Sequence, residues 1–93
     1  MNGGGNVVYV IVVYDVQADR TPKFLNYLRQ YLVHVQNSVF EGELTEGKVE
    51  EIEGTLESML ESEESVMLYR MSSEKYVNRS VFGDDPMDDQ QFL

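Results

Sequence analysis

One stretch limits what this chain can become: Val7 to Val16, VVYVIVVYDV, in which nine of ten residues are apolar or aromatic and the tenth is Asp15. A run this rich in β-branched residues, with no Gly or Pro, reads as a strand. Alternation places Val7, Tyr9, Ile11, Val13 and Asp15 on one face and Val8, Val10, Val12, Tyr14 and Val16 on the other. Both faces are apolar, so the strand is expected at the centre of a sheet and covered on both sides. Charge enters only where the strand runs out. In open α/β sheets, ligands are met at the carboxyl end of a central strand, which makes Asp15 the first candidate for chemistry.

At 93 residues the chain makes one small domain. A domain of this size buries roughly 60–68% of its unfolded surface, so a partner subunit would help its stability. With no cysteine there is neither a disulfide nor a thiolate metal site, which is compatible with a reducing cytoplasm. The ten-residue apolar run follows MNGGGN rather than basic residues and is too short to span a bilayer. The expectation is a soluble, cytoplasmic protein with no membrane partner.

A net charge of −10 argues at first against nucleic acid, because proteins that hold phosphates are usually basic. The distribution weakens that objection. Residues 1–40 set Arg20, Lys23 and Arg29 against Asp15 and Asp19, residues 65–82 set Arg70, Lys75 and Arg79 against Glu74, and the two segments together carry +3. Residues 41–64 hold ten acids against Lys48, and the stretch from Gly83 holds four acids and no base. Acidity is thus confined to one helix region and one tail. Such a field also suits strong salt, where the Debye length falls to about 3 Å at 1 M, and the sequence leaves a halophilic source, with salt-dependent folding, open beside an ordinary one.

Met1 to Asn6 is glycine-rich and reads as a disordered lead without function. Thr21 followed by Pro22 reads as an N-cap with proline at the first helical position. The helix is expected to run to about Leu32, with Phe24, Leu25, Leu28, Tyr31 and Leu32 on its sheet-facing stripe and Lys23, Asn26, Arg29 and Gln30 opposite. Val33 to Leu44 fits either two short strands turning at Asn37-Ser38 or one bent strand. Thr45 can cap a second helix whose apolar face is Val49, Ile52, Leu56, Met59 and Leu60, with glutamates over most of the rest. Ser65 to Met71 is another apolar strand. The order strand, helix, strand, strand, helix, strand is the ferredoxin-like α+β sandwich, βαββαβ. Arg79 to Phe82 reads as an extra C-terminal strand that pairs across a subunit boundary in a homodimer. Residues 84–93 read as an acidic flexible tail.

Three segments together resemble the small CRISPR-associated Cas2 family: Tyr14-Asp15-Val16; the stretch HVQNSVFEGEL with Ser38-Val39-Phe40 and Gly42; and Arg70 to Tyr76, RMSSEKY. The resemblance covers Val7 to Gly83. It implies a ferredoxin-like homodimer that works in CRISPR adaptation, bridges the Cas1 integrase and holds duplex DNA for insertion as a new spacer. It also implies a magnesium-dependent endonuclease acting on RNA or DNA, with Asp15 as metal ligand, Tyr14 and Asp15 as catalytic residues, Arg20 and Arg29 facing phosphates, and Phe40 as an aromatic beside the site. Members of the family often carry arginine where this chain has His34, and the acidic second helix and tail depart from the basic members.

Magnesium often takes only one or two carboxylates plus waters and phosphate, so one aspartate per chain becomes sufficient if a dyad brings two together. Against the chemical readings stand plain ones. Asp15 can simply end a strand, Arg20, Lys23 and Arg29 can be solvent charges, Tyr31 can pack the core, and the glutamates from Glu50 to Glu64 can be a solvated face. No Walker loop, zinc spacing, nucleophile elbow or dinucleotide fingerprint is present. A toxin-like ribonuclease acting alone and a non-catalytic interaction module are the alternatives to the adaptation role.

Overall fold

The structure, a computed structural model, describes residues 6–83, so the expectations for the lead and the tail fall almost entirely outside it. Strand β1 (Val7–Asp15) leads through a single 3-10 turn at Ala18–Arg20 into α1 (Thr21–Leu28). Then come β2 (Val33–Gln36), β3 (Val39–Thr45), α2 (Glu46–Met59) and β4 (Ser65–Met71), with a second 3-10 turn at Glu74–Tyr76. The sheet order is β2-β3-β1-β4 and every pairing is antiparallel, which is the expected ferredoxin-like α+β arrangement.

β1 is hydrogen-bonded on both sides, by β3 from Val7↔Thr45 to Val13↔Val39 and by β4 from Tyr9↔Met71 to Asp15↔Ser65. Its even-numbered residues enter the core under the two helices. Val10 and Val12 are fully buried there, with Phe24 and Leu28 from α1, Phe40 from β3, and Val49 and Ile52 from α2. The odd-numbered face carries no helix. Ile11 and Val13 are only half-buried on it, so within one chain the expected double cover is complete on one side alone.

Two details of α1 differ from expectation. Thr21 is not the cap: the 3-10 turn delivers Arg20 in helical geometry as the N-cap, and Thr21 Oγ1 donates instead to the Gln17 carbonyl at 3.5 Å. The helix also stops at Leu28, because the Leu28 carbonyl accepts from both Tyr31 N and Leu32 N, each at 3.0 Å, and this tight turn releases the chain into β2. Leu32 stays in the core through that turn, and a Cβ built on Gly42 would stand 3.0 Å from Leu32 Cδ2, so glycine permits the close approach of the turn to β3.

Of the two readings for residues 33–44, the hairpin is the observed one. Asn37 takes φ 45 at its turn, a conformation asparagine tolerates better than most side chains. Thr45 caps α2 as expected, its Oγ1 accepting from Lys48 N at 3.1 Å. Arg79–Phe82 forms no ladder within the single chain: Phe82 is 93% exposed, and Arg79 instead reaches back to β3. Among the described residues no helix is long and apolar enough to cross a membrane.

Because Ile52 is wholly buried while Glu50 is exposed on the same helix, the two positions should respond differently. Ile52→Val should lower the unfolding free energy by about 0.5–1.5 kcal/mol in urea titrations, and Glu50→Ala should change it by no more than about 0.5 kcal/mol.

Candidate functional site

The carboxyl end of β1 presents Tyr14 and Asp15 in opposite directions. Asp15 is exposed on the helix-free face, level with Ser65 of β4. Tyr14 points into the core, 2% exposed, with its ring stacked 5.5 Å from Phe24 and 6.2 Å from Phe40. Burial pushes its phenol up from the ordinary value, and its hydroxyl finds no hydrogen-bond partner among the described residues. Adjacent in sequence, the two side chains are separated by the strand itself.

The other predicted site residues also divide. Phe40 is fully buried, between Tyr14 and a His34 ring 4.7 Å away, and offers no face to a ligand. His34 Nε2 donates to the Asn37 carbonyl and so braces the β2–β3 turn. That turn touches β1 as well, through Tyr14 N donating to the Ser38 carbonyl at 3.1 Å. Arg29 is exposed beyond the end of α1 and has no ion pair among the described residues.

Arg20 is a clamp rather than a free phosphate ligand. Its Nε donates to Glu64 Oε2 at 2.8 Å, Nη1 lies 3.1 Å from Glu61 Oε2, and Nη2 donates to the Met59 carbonyl. Its guanidinium also sits 5.6 Å from the centroid of the Phe24 ring. Glu64 accepts further from Gln17 N at 3.1 Å and Glu61 N at 2.9 Å. The segment after β1 is thereby tied to the segment before β4. Arg20, first, and then the two backbone donors hold the Glu64 carboxyl at about 2, against an ordinary 4.5.

The helix-free face has two halves. At the Asp15 end, Ile11, Val13 and Val39 form a floor beside Met67 (52% exposed) and Tyr69 (50% exposed). At the other end the chain that follows β4 folds back over the face. Arg79 holds Glu41 through both guanidinium nitrogens, one at 2.9 Å, and Tyr9 donates its hydroxyl to the same carboxylate at 2.8 Å. Glu41 is 4% exposed, and Arg79 foremost, then Tyr9, holds its carboxyl below the usual range despite burial. This network was not legible in the sequence: the stretch SVFEGEL holds two glutamates, and nothing in it marks Glu41 rather than Glu43 as the buried one.

Two consequences can be measured. Tyr14→Phe keeps both ring contacts and removes a buried hydroxyl that lacks a partner, so it should fold with stability unchanged or raised, by up to about 1–3 kcal/mol in denaturant titration. For Glu64, a folded value below the unfolded one means that its contribution is complete above pH 4.5 and is lost as pH falls toward about 2. Melting temperatures followed from pH 6 to pH 2.5 should therefore fall less steeply for Glu64→Gln than for the parent chain.

Comparison with known proteins bears on what such a site serves. A sequence model of the family described as CRISPR associated protein Cas2 matches residues 8–81. A CRISPR-associated endoribonuclease Cas2 of Methanothermobacter thermautotrophicus is 47% identical over 77 residues, which is 82% of this chain and 85% of the relative. One of the same name from Dictyoglomus turgidum is 44% identical over 87 residues, 92% of this chain and 100% of the relative. A solved structure described as a crystal structure of cas2 superposes with a TM-score of 0.80 at 38% identity, covering 86% of this chain and 91% of its own. Sequence and fold agree over nearly all of the described residues, and the chain belongs to the CRISPR-associated Cas2 family.

Proposed function

We propose that this chain acts in CRISPR adaptation as a homodimer that bridges the Cas1 integrase and binds duplex DNA for spacer integration, and that its paired Asp15 residues form a magnesium-dependent endonuclease site for RNA or DNA. The observation that carries the reading is the position of Asp15 at the rim of the uncovered half of the sheet, beside Ile11, Val13, Met67 and Tyr69. Apolar surface of this kind favours a partner, and a second copy meeting it about a dyad turns each rim residue into a pair. The names of the relatives support a nuclease role, with RNA as substrate.

Among the described residues no three His, Cys, Asp or Glu side chains converge to hold a metal ion. An exposed aspartate nonetheless suits Mg2+, a hard cation that keeps several waters and takes one or two carboxylates. Two Asp15 residues, one from each subunit, would hold it. The chemistry it supplies is polarisation of the scissile phosphodiester and a lower pKa for an attacking water. The protein's own contribution is a rigid mounting: β1 is anchored on both edges, and the Arg20–Glu64 clamp fixes the chain that leaves Asp15. Tyr14 supports the strand end from within the core, as a positioning residue.

Asp15→Ala should reduce Mg2+-dependent cleavage of RNA or DNA by roughly a hundredfold, equivalent to about 2.7 kcal/mol of barrier, while sedimentation still reports a dimer. Tyr14→Phe should retain cleavage, and Tyr69→Asp should dissociate the dimer. Cleavage by Asp15→Ala at the parent rate would remove the catalytic half of the reading. A single-chain mass at native ionic strength, or failure to co-purify with Cas1, would remove the bridging half.

A further inference from the structure

On the helix side of the sheet, at its β4 edge, lies a groove of about 460 Å3 lined by Glu53, Leu56, Glu57, Leu60, Val66 and Leu68. It exists because β4 is an outermost strand. Val66 and Leu68 stand level with Tyr14 and Val12 and so point toward the helix layer, but they remain only half-buried, as does Leu60 at the end of α2. Glu53 and Glu57 are exposed one helical turn apart along the rim, and Glu50 extends the row. The cation that meets this row is Arg70, whose Nη2 is 3.5 Å from Glu53 with both side chains over 40% exposed, a pairing readily exchanged.

We propose that this groove docks a basic amphipathic segment of a protein partner. Two apolar side chains of the segment, one turn apart, seat against Leu56, Leu60, Val66 and Leu68, and flanking lysines or arginines meet Glu53 and Glu57. Charge selects this occupant. Nucleic acid is repelled by the glutamate row, and residues 84–93 of the chain, with four acids and no base, are repelled as well. The groove is complete within one chain. Its opening on the face opposite the proposed dimer contact rests on the homodimer reading, and under that reading a dimer presents two grooves, one for each of two partner molecules.

The probe is a fluorescently labelled eighteen-residue helical peptide of leucine and lysine, titrated by anisotropy into the full chain, with an oligolysine of equal charge as comparator. The leucine–lysine peptide should bind saturably, one per chain. Leu60→Ser and Glu57→Lys should each weaken it roughly tenfold, whereas Leu60→Ser should leave oligolysine binding unchanged. Glu57 is exposed, so its substitution tests the site even if Leu60→Ser fails to fold. Equal binding of the leucine–lysine peptide to Leu60→Ser and the parent would overturn the proposal in favour of a general acidic surface. Loss of self-association in Leu60→Ser would overturn it in favour of a second copy as the occupant, and groove-dependent binding of a single-stranded oligonucleotide would overturn it too. Sedimentation run alongside separates the two readings: a monomer that binds the peptide with these sensitivities keeps the groove and rejects the homodimer.

Discussion

Everything in this molecule is arranged around a strand bonded along both of its edges. With β3 on one side and β4 on the other, the backbone groups of β1 are satisfied without water, and its side chains can only go up or down. The downward set meets two helices and makes a packed core. The upward set meets no helix, and its treatment differs along the strand: the Tyr9 end is covered by the chain's own C-terminal segment, and the Asp15 end is left open. The functional reading follows from that asymmetry, because the open end carries both apolar surface and the carboxylate.

The covered end is held by charge. A carboxylate taken out of water is costly unless its partners are well placed, and Glu41 has a two-pronged guanidinium and a phenol. The folded carboxyl is held down, so this arrangement contributes stability above the ordinary carboxylate range and loses it as acid reprotonates the group below that range. Arg20 and Glu64 repeat the device at the opposite end of the sheet, where they join two loops that hydrophobic packing alone would leave independent. In a chain of net charge −10, two arginines are thus used internally to hold carboxylates in place.

Local patterns were readable wherever one rule acted alone. The β-branched run of β1, the period of α2 and the Thr45 cap all stand where residue type put them, whereas the Asn37-Ser38 turn resolves a stretch that residue type left open between a hairpin and one bent strand. Thr21 misled because a 3-10 turn upstream already supplied helical geometry, and Leu32 misled because a residue can keep its buried place after the helix has ended. Side-chain roles were harder to read. Phe40 and Tyr14 look like ligand-facing aromatics in a list, but the pairing register sends both under the helices. Arg20 looks like a phosphate ligand until Glu61 and Glu64 arrive from forty residues away. Partners so distant in sequence leave no spacing to detect, and Glu41 with Arg79 is the same case.

The backward fold of the C-terminal segment has a practical side for anyone trimming or tagging this protein. Cutting ahead of Arg79 would take away the principal counter-ion of Glu41 and leave its carboxylate with the Tyr9 hydroxyl alone, so a shortened version loses the stability this pair contributes at neutral pH. A bulky fusion placed soon after Phe82 would pull against the same guanidinium anchor.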